Sequence, residues 1–158
     1  MIRIMFVCHG NICRSPMAEF VMKKLVRDRG LENGFYILSA ATHTDEIWDG
    51  RGSPIYPPAR EQLIKHSIPF DEGKRATLLT KEDYDSFDYF VCMDNENVRC
   101  MNRIFGTYNS PKIRKLMSFT NRGGSVSDPW YTRDFGQAYD DIYSGCTALL
   151  NYLTEEKK

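Results

Sequence analysis

The sequence carries no surplus of charge: Lys+Arg and Asp+Glu number 21 each in 158 residues. Without a surplus, no global field draws the chain to nucleic acid or to an anionic membrane, so any anion site must be local. Long hydrophobic runs are missing too. No stretch approaches the roughly 20 apolar residues of a spanning helix, so no membrane insertion is expected. The apolar run near the start, Ile4 to Cys8, is too short for a secretory signal. The expected location is cytoplasmic. Cysteines are few and odd in number, Cys8, Cys13, Cys92, Cys100 and Cys146, with no C-x-x-C pair. That argues against a secreted disulfide framework and against a structural zinc site, and neither metal nor cofactor is expected. Cys92, Cys100 and Cys146 fall within their own apolar patterns and read as small buried hydrophobes. Repeats, low-complexity tracts and linkers are absent as well, so residues 1–158 are expected to form a single domain with a core of its own.

What the sequence does contain is an alternation of short apolar runs and amphipathic stretches. Ile2 to Val7 reads as a buried strand. Met17, Val21 and Leu25, beside Ala18, Met22 and Val26, place an apolar face on a helix that Ser15 can cap, Pro16 can start and Gly30 can end. Tyr36 to Ala40 reads as a second strand, and His43 to Pro58 as a long surface loop. A helix is expected over Ala59 to His66 and a short one from Thr80. Phe87 to Met93 is the clearest later strand, followed by a helix capped by Asp94 and ending near Gly106. Ile113 to Met117 is a last strand, and Phe135, Ala138, Ile142, Cys146, Leu149 and Leu153 follow helical spacing in a closing helix. Strands alternating with helices imply an α/β fold, a parallel sheet covered on both faces.

The chemistry concentrates in VCHGNICRSP, residues 7–16. In open parallel sheets ligands bind beyond the carboxyl ends of strands, which is where Cys8 falls. Gly10 and Asn11 are the types that most easily take φ > 0, so the backbone can curl with its N–H groups inward. Such a ring at a helix N-terminus cradles phosphate or a similar oxyanion. Five residues separate Cys8 from Arg14, enough to wrap one phosphate-sized group. The planar fork of Arg14 can clamp two of its oxygens, which a lysine cannot. The same surroundings favour a thiolate, the form that attacks. Ser15 can donate to that sulfur, while His9 either adds positive charge or faces water. A nucleotide P-loop in its usual form needs a lysine before Ser/Thr and more glycine.

A thiolate attacking phosphorus must expel an oxygen, and a phenolic leaving group (pKa about 10) gains from a positioned acid. Asp128, in SDPWY, precedes Pro129, which stiffens the loop and disfavours helix at Asp128. Trp130 and Tyr131 add flat faces for a phenyl ring. An ordinary Asp-Pro surface turn has the same sequence.

Together, CHGNICRS and the late DPWY resemble the low-molecular-weight protein tyrosine phosphatases, and the similarity runs along essentially the whole chain. The resemblance implies a three-layer, flavodoxin-like sandwich on a four-stranded parallel sheet. It implies metal-independent hydrolysis of phosphotyrosine in proteins or peptides through a phosphocysteine. Cys8 is then the nucleophile and Arg14 the phosphate clamp. Asp128 is the acid that later becomes the base, and His9, Gly10, Asn11, Ile12, Cys13, Arg14 and Ser15 form the phosphate loop. It further implies that Asn11 is held by Ser39, that His66 supports the same network, and that Cys13 can form a reversible disulfide with Cys8. Glu19 reads as a solvated helix residue or a brace of the loop, and His66 equally as a histidine at a helix end. A cognate tyrosine kinase and a monomer or weak dimer complete the expectations.

Departures bear on substrate. Ala41 stands where the family usually has Gly. The loop THTDEIWDGRGSPIYPPA offers Trp48 as one wall of the cleft, and Trp130 replaces the first of a usual tyrosine pair, Tyr131 keeping the second. Phosphoarginine phosphatases on this scaffold carry Thr where this chain has Ile12, which offers no hydroxyl to a guanidinium. Arsenate reductases reduce through two further cysteines, for which Cys92 and Cys100 are candidates, but Cys92 falls within a strand pattern. A non-catalytic phosphate-binding module needs neither a reactive thiolate nor an acid.

Overall fold

The computed structural model describes residues 1–155. β1 (Ile2–Cys8) is a central strand, hydrogen-bonded in parallel to β2 (Phe35–Ala41) on one side and β5 (Tyr89–Cys92) on the other. β6 (Ile113–Lys115) adds in parallel to β5, giving a four-stranded sheet in the order β2-β1-β5-β6. Counted among themselves, the four strands run second, first, third, fourth, the doubly wound order in which chain direction across the sheet reverses at the first strand.

Burial on both faces explains why β1 is almost continuously apolar. Ile4, Phe6 and Cys8 point into a core shared with α1 (Arg14–Asp28) and α5 (Phe135–Glu155). Met5 and Val7 point the other way, onto Met101 and Phe105 of α3 (Asn95–Phe105) and onto Leu79 and Phe87. The result is helix, sheet, helix: three layers around one parallel sheet. The predicted row on α5 is the observed one, with Ala138, Ile142, Cys146, Leu149 and Leu153 all buried.

Differences from the expected elements are local and have physical causes. β5 is confined to Tyr89–Cys92, and the last strand ends at Lys115, where Leu116–Phe119 tightens into a 3-10 turn. α2 (Pro57–Lys65) starts earlier than expected, because a proline at the first helical position lacks only an N–H that has no acceptor there. The long loop hides a small antiparallel hairpin, β3 (Ile47–Trp48) and β4 (Arg51–Gly52), turned by Asp49 and Gly50 at φ 50° and 76°. Two residues in left-handed conformation, with Gly second, make the tight hairpin turn that suits strand twist. At Gly52 a Cβ would lie 2.0 Å from the Ala76 carbonyl oxygen, so only glycine lets the hairpin dock there. Ser53 N–H to Glu46 O and Ala76 N–H to Ser53 O complete the docking.

Ser15 does not cap α1. The helix begins at Arg14, its N-cap is Cys13 with no side-chain cap, and the Ser15 hydroxyl turns inward. The first helical bond is Met17 N–H to Cys13 O, which leaves the start of α1 open toward the loop before it. Gly30 does close the helix, at φ 69°.

Candidate active site

Cys8 ends β1 at the carboxyl edge of the sheet, 3% exposed, and the chain then wraps from His9 to Arg14 into α1. The turn in this wrap is made by Asn11 alone, at φ 58°. Gly10, expected to share the positive φ, does not; it supplies room instead, since a Cβ there would come 3.3 Å from Cγ of Glu46. With Asn11 in the left-handed region, its backbone N–H reaches Cys8 Sγ at 3.3 Å, and Ser15 Oγ lies 3.0 Å from the same sulfur.

The asparagine is fixed from three sides and is 1% exposed. Its Oδ1 accepts the Thr77 N–H at 3.0 Å, which settles the amide orientation. Its Nδ2 then donates to Ser15 Oγ at 2.7 Å and to Ser39 Oγ at 3.0 Å. Ser39 in turn donates to the buried carboxylate of Glu19, an acceptor only. Having accepted from Asn11, the Ser15 hydroxyl has its own proton free for the sulfur. Two hydrogen-bonding groups thus converge on the Cys8 sulfur.

Glu19 is therefore a brace of the loop and not a solvated helix residue. Lys23 Nζ at 2.7 Å and Lys74 Nζ at 3.6 Å balance its charge. Burial pulls the Lys74 ammonium below its ordinary value and Glu19 partly restores it. His66 takes no part in this network. It is exposed, hydrogen-bonded to Gln62 O at 2.9 Å and stacked on Tyr139 with ring centres 3.8 Å apart. The supporting place belongs to Lys74, which also donates to Ser39 O at 3.2 Å. Lys74 and Thr77 were not legible as site residues, because nothing in GKRAT marks a segment that packs across a loop more than sixty residues earlier.

Arg14 is 3% exposed, and its Nη1 donates to Asp94 Oδ2 at 2.8 Å and to Val126 O at 2.9 Å. Its Nη2 lies 3.5 Å from Asp128 Oδ2. Burial alone would weaken the charge; the negative charges of Cys8, Asp94 and Asp128 overcome that and hold the guanidinium above its ordinary value. Asp94 is also the N-cap of α3 through the Asn97 N–H, as its sequence context predicts, but its second role on Arg14 needs the fold to reveal it.

Asp128 caps the short α4 (Pro129–Thr132), accepting the Trp130 N–H at 3.0 Å. It lines the same pocket of about 280 Å³ as Cys8, His9, Ile12 and Arg14, with Trp130 and Tyr131 at the mouth, 51% and 82% exposed. Two segments 114 residues apart in sequence, at Arg14 and Asp128, thus meet at one site. Trp48 is not in that wall. It sits exposed on β3, and the residues this loop contributes are Asp45 and Glu46. His9 Nε2 lies 2.6 Å from Asp45 Oδ2, and its ring stacks on His43 at 3.9 Å. That bond holds the Asp45 carboxyl below the usual range.

All five cysteines are free. Burial first, then the charges of Cys8 and Asp128, push the Cys13 thiol well up, so it stays neutral beside its neighbour. Cys92 is fully buried in β5 with its thiol likewise raised by burial, a poor position for the shuttling thiol of an arsenate reductase.

A thiol between donors, a guanidinium and a carboxylic acid at one pocket can transfer a phosphoryl group to sulfur and return it to water. Among the described residues, no helix is long and apolar enough to cross a membrane and no cluster of His, Cys, Asp and Glu is arranged to hold a metal.

Residues 3–158 match the family described as low molecular weight phosphotyrosine protein phosphatase. The chain is 36% identical over 160 residues to the low molecular weight protein-tyrosine-phosphatase YfkJ of Bacillus subtilis, covering 100% of this chain and 99% of that protein. It is 38% identical over 157 residues to the low molecular weight protein-tyrosine-phosphatase PtpA of Staphylococcus aureus, covering 99% and 96%. The crystal structure of YfkJ superposes with a TM-score of 0.93 over 100% of this chain and 98% of that one. SP-PTP, a low molecular weight protein tyrosine phosphatase from Streptococcus pyogenes, is 37% identical and superposes at 0.86, covering 97% and 93%.

Proposed function

This chain belongs to the low molecular weight phosphotyrosine protein phosphatase family, and on that premise we propose how its own residues carry out the hydrolysis. The enzyme is a protein tyrosine phosphatase. Cys8 attacks phosphorus as the thiolate, in line with the phenolic oxygen. The S–P bond forms as the P–O bond to tyrosine breaks, and Asp128 gives its proton to the departing phenolate. Arg14, with the N–H groups of the loop, takes the charge of the equatorial oxygens, the role for which a planar fork is suited. Water then attacks the phosphocysteine, Asp128 takes its proton, and the S–P bond breaks to return thiolate and inorganic phosphate. Ser15 donates to the sulfur throughout and eases its departure.

The observation that carries this reading is the convergence on one pocket of Cys8 Sγ, the guanidinium of Arg14 and the carboxyl of Asp128, the last two 3.5 Å apart. Ile12 lines the pocket without a hydroxyl, in keeping with a phenyl ester and not a phosphoguanidinium. Trp130 and Tyr131 flank the ring. We assign the 158 residues to one phosphatase domain in the cytoplasm, since a nucleophilic thiol must stay reduced. There it acts as a monomer or weak dimer opposite a tyrosine kinase. Under oxidation Cys13 is the partner that captures Cys8.

The test separates the roles. Cys8→Ser abolishes turnover and leaves phosphate binding intact, and rapid quench of the native enzyme traps a phosphoryl group on Cys8. Asp128→Ala costs about 10²–10⁴ in rate on phosphotyrosine and much less on an ester with a better leaving group. Equal losses on both esters would remove Asp128 from the role of acid.

A further inference from the structure

The mouth of the phosphate pocket is charged against the chain's overall balance. Five carboxylates line it, Asp45, Glu46, Asp94, Glu96 and Asp128, against the single guanidinium of Arg14. Asp94 and Asp128 are held by Arg14 at 2.8 and 3.5 Å. Among the described residues, the other three have no lysine or arginine within 4.0 Å and Glu46 forms no ion pair, while His9 touches Asp45 at 2.6 Å and Glu96 at 4.0 Å. Their places are built, not incidental. Asp45 and Glu46 precede a hairpin pinned by the close approach of Gly52 to Ala76 and by the bond from Ser53 N–H to Glu46 O. Glu96 stands in the first turn of α3, two residues after the Asp94 cap.

The same pocket is also lined by the aromatic rings of Trp130 and Tyr131. Trp130 is ordered on α4 by Tyr56, ring centres 5.8 Å apart, and by Arg133 above its ring at 5.8 Å. A pocket whose floor must take a dianion is thus lined both by aromatic rings and by more carboxylates than cations. An anionic rim opposes the approach of a phosphoryl group unless the incoming chain brings cations of its own.

Resting on the phosphotyrosine reading above, we propose that Asp45, Glu46 and Glu96 are specificity residues that select phosphotyrosine flanked by lysine or arginine. The phenyl ring packs on Trp130 and Tyr131, and the neighbouring basic side chains lie along the acidic side. Each exposed pair contributes at most about five-fold. Two or three pairs together give roughly ten-fold or more in kcat/KM at low salt, and this shrinks as the screening length falls from about 10 Å at 0.1 M salt to about 3 Å at 1 M.

The experiment compares two phosphotyrosine peptides of one backbone, with lysines or with glutamates on both sides of the tyrosine, at two salt concentrations. The native enzyme is expected to prefer the basic peptide about ten-fold at low salt, and high salt compresses the ratio. Glu46→Gln and Glu96→Gln each narrow it, and Glu96→Lys narrows it further or reverses it. The ratio is internal to each preparation, so a general loss of activity leaves it readable, and the salt series needs no variant. Equal rates on the two peptides at low salt, or a preference for the acidic one, would overturn the proposal while leaving the phosphatase reading intact. Failure to hydrolyse either peptide would overturn both.

Discussion

Replacing Asn11 by alanine tests whether the active-site loop is held by its one left-handed residue. The side chain donates to Ser15 and Ser39 and accepts from the Thr77 N–H. Each such bond contributes about 1 kcal/mol net, and three are lost together. Alanine at φ 58° adds about 1–2 kcal/mol, because its Cβ crowds the carbonyl oxygen and it lacks the local hydrogen bonding that lets asparagine tolerate this region. The expected destabilisation is about 4–5 kcal/mol, less whatever water recovers for the stranded Thr77 N–H. At about 2.1 cal/mol/K per residue of unfolding entropy, that corresponds to roughly 12–15 °C in Tm for a chain of this length. Activity should fall further than stability accounts for, because the Ser15 hydroxyl is then free to turn its proton away from Cys8. Urea unfolding followed by circular dichroism gives the first number, and turnover well below the new Tm gives the second. A loss under 1 kcal/mol with unchanged turnover would show that the loop holds its shape without this side chain.

Three further outcomes follow from other parts of the molecule. Gly52→Ala forces a Cβ against the Ala76 backbone, and overpacking of this kind costs about 1–3 kcal/mol; peptide KM should rise as Asp45 and Glu46 shift, while an unchanged melting curve would deny the close approach. Trp130→Ala removes one aromatic face of the mouth, so KM for phosphotyrosine peptides should rise several-fold with inorganic phosphate inhibition unchanged; a loss in phosphate affinity instead would place Trp130 nearer the anion than the geometry does. Stability should fall with rising pH above about 8.5. Burial raises the thiols of Cys92 and Cys146 in the folded chain, so they keep protons that the unfolded chain releases from about pH 8.5 upward. The folded state then binds more protons, and each such thiol removes up to about 1.4 kcal/mol of stability per pH unit. Urea midpoints measured from pH 7 to 10 should decline, and Cys146→Ala should flatten the slope; a slope unaffected by that replacement would refute the assignment.

The legible part of this protein was local in origin. A strand buried on both faces must be continuously apolar, an amphipathic helix must repeat its apolar residues every three or four positions, and Asp94 before Asn95–Phe105 is a helix start by its own hydrogen-bonding chemistry. The loop from Cys8 to Arg14 is likewise a local object whose residue types announce an oxyanion. Even the hairpin within the long loop has a local signal, the Asp49-Gly50 pair.

What sequence order cannot express is which distant segments touch. Assigning the support of Asn11 to His66 and the wall of the pocket to Trp48 failed for that reason: each residue had the right chemistry, and the packing of the 74–78 segment and of the docked hairpin put Lys74, Asp45 and Glu46 there instead. Side-chain type and spacing along the chain decided the strands, the helices and the reactive loop. Only the closure of helices over a parallel sheet decided that Arg14 meets Asp128, 114 residues away, and that the entrance is acidic.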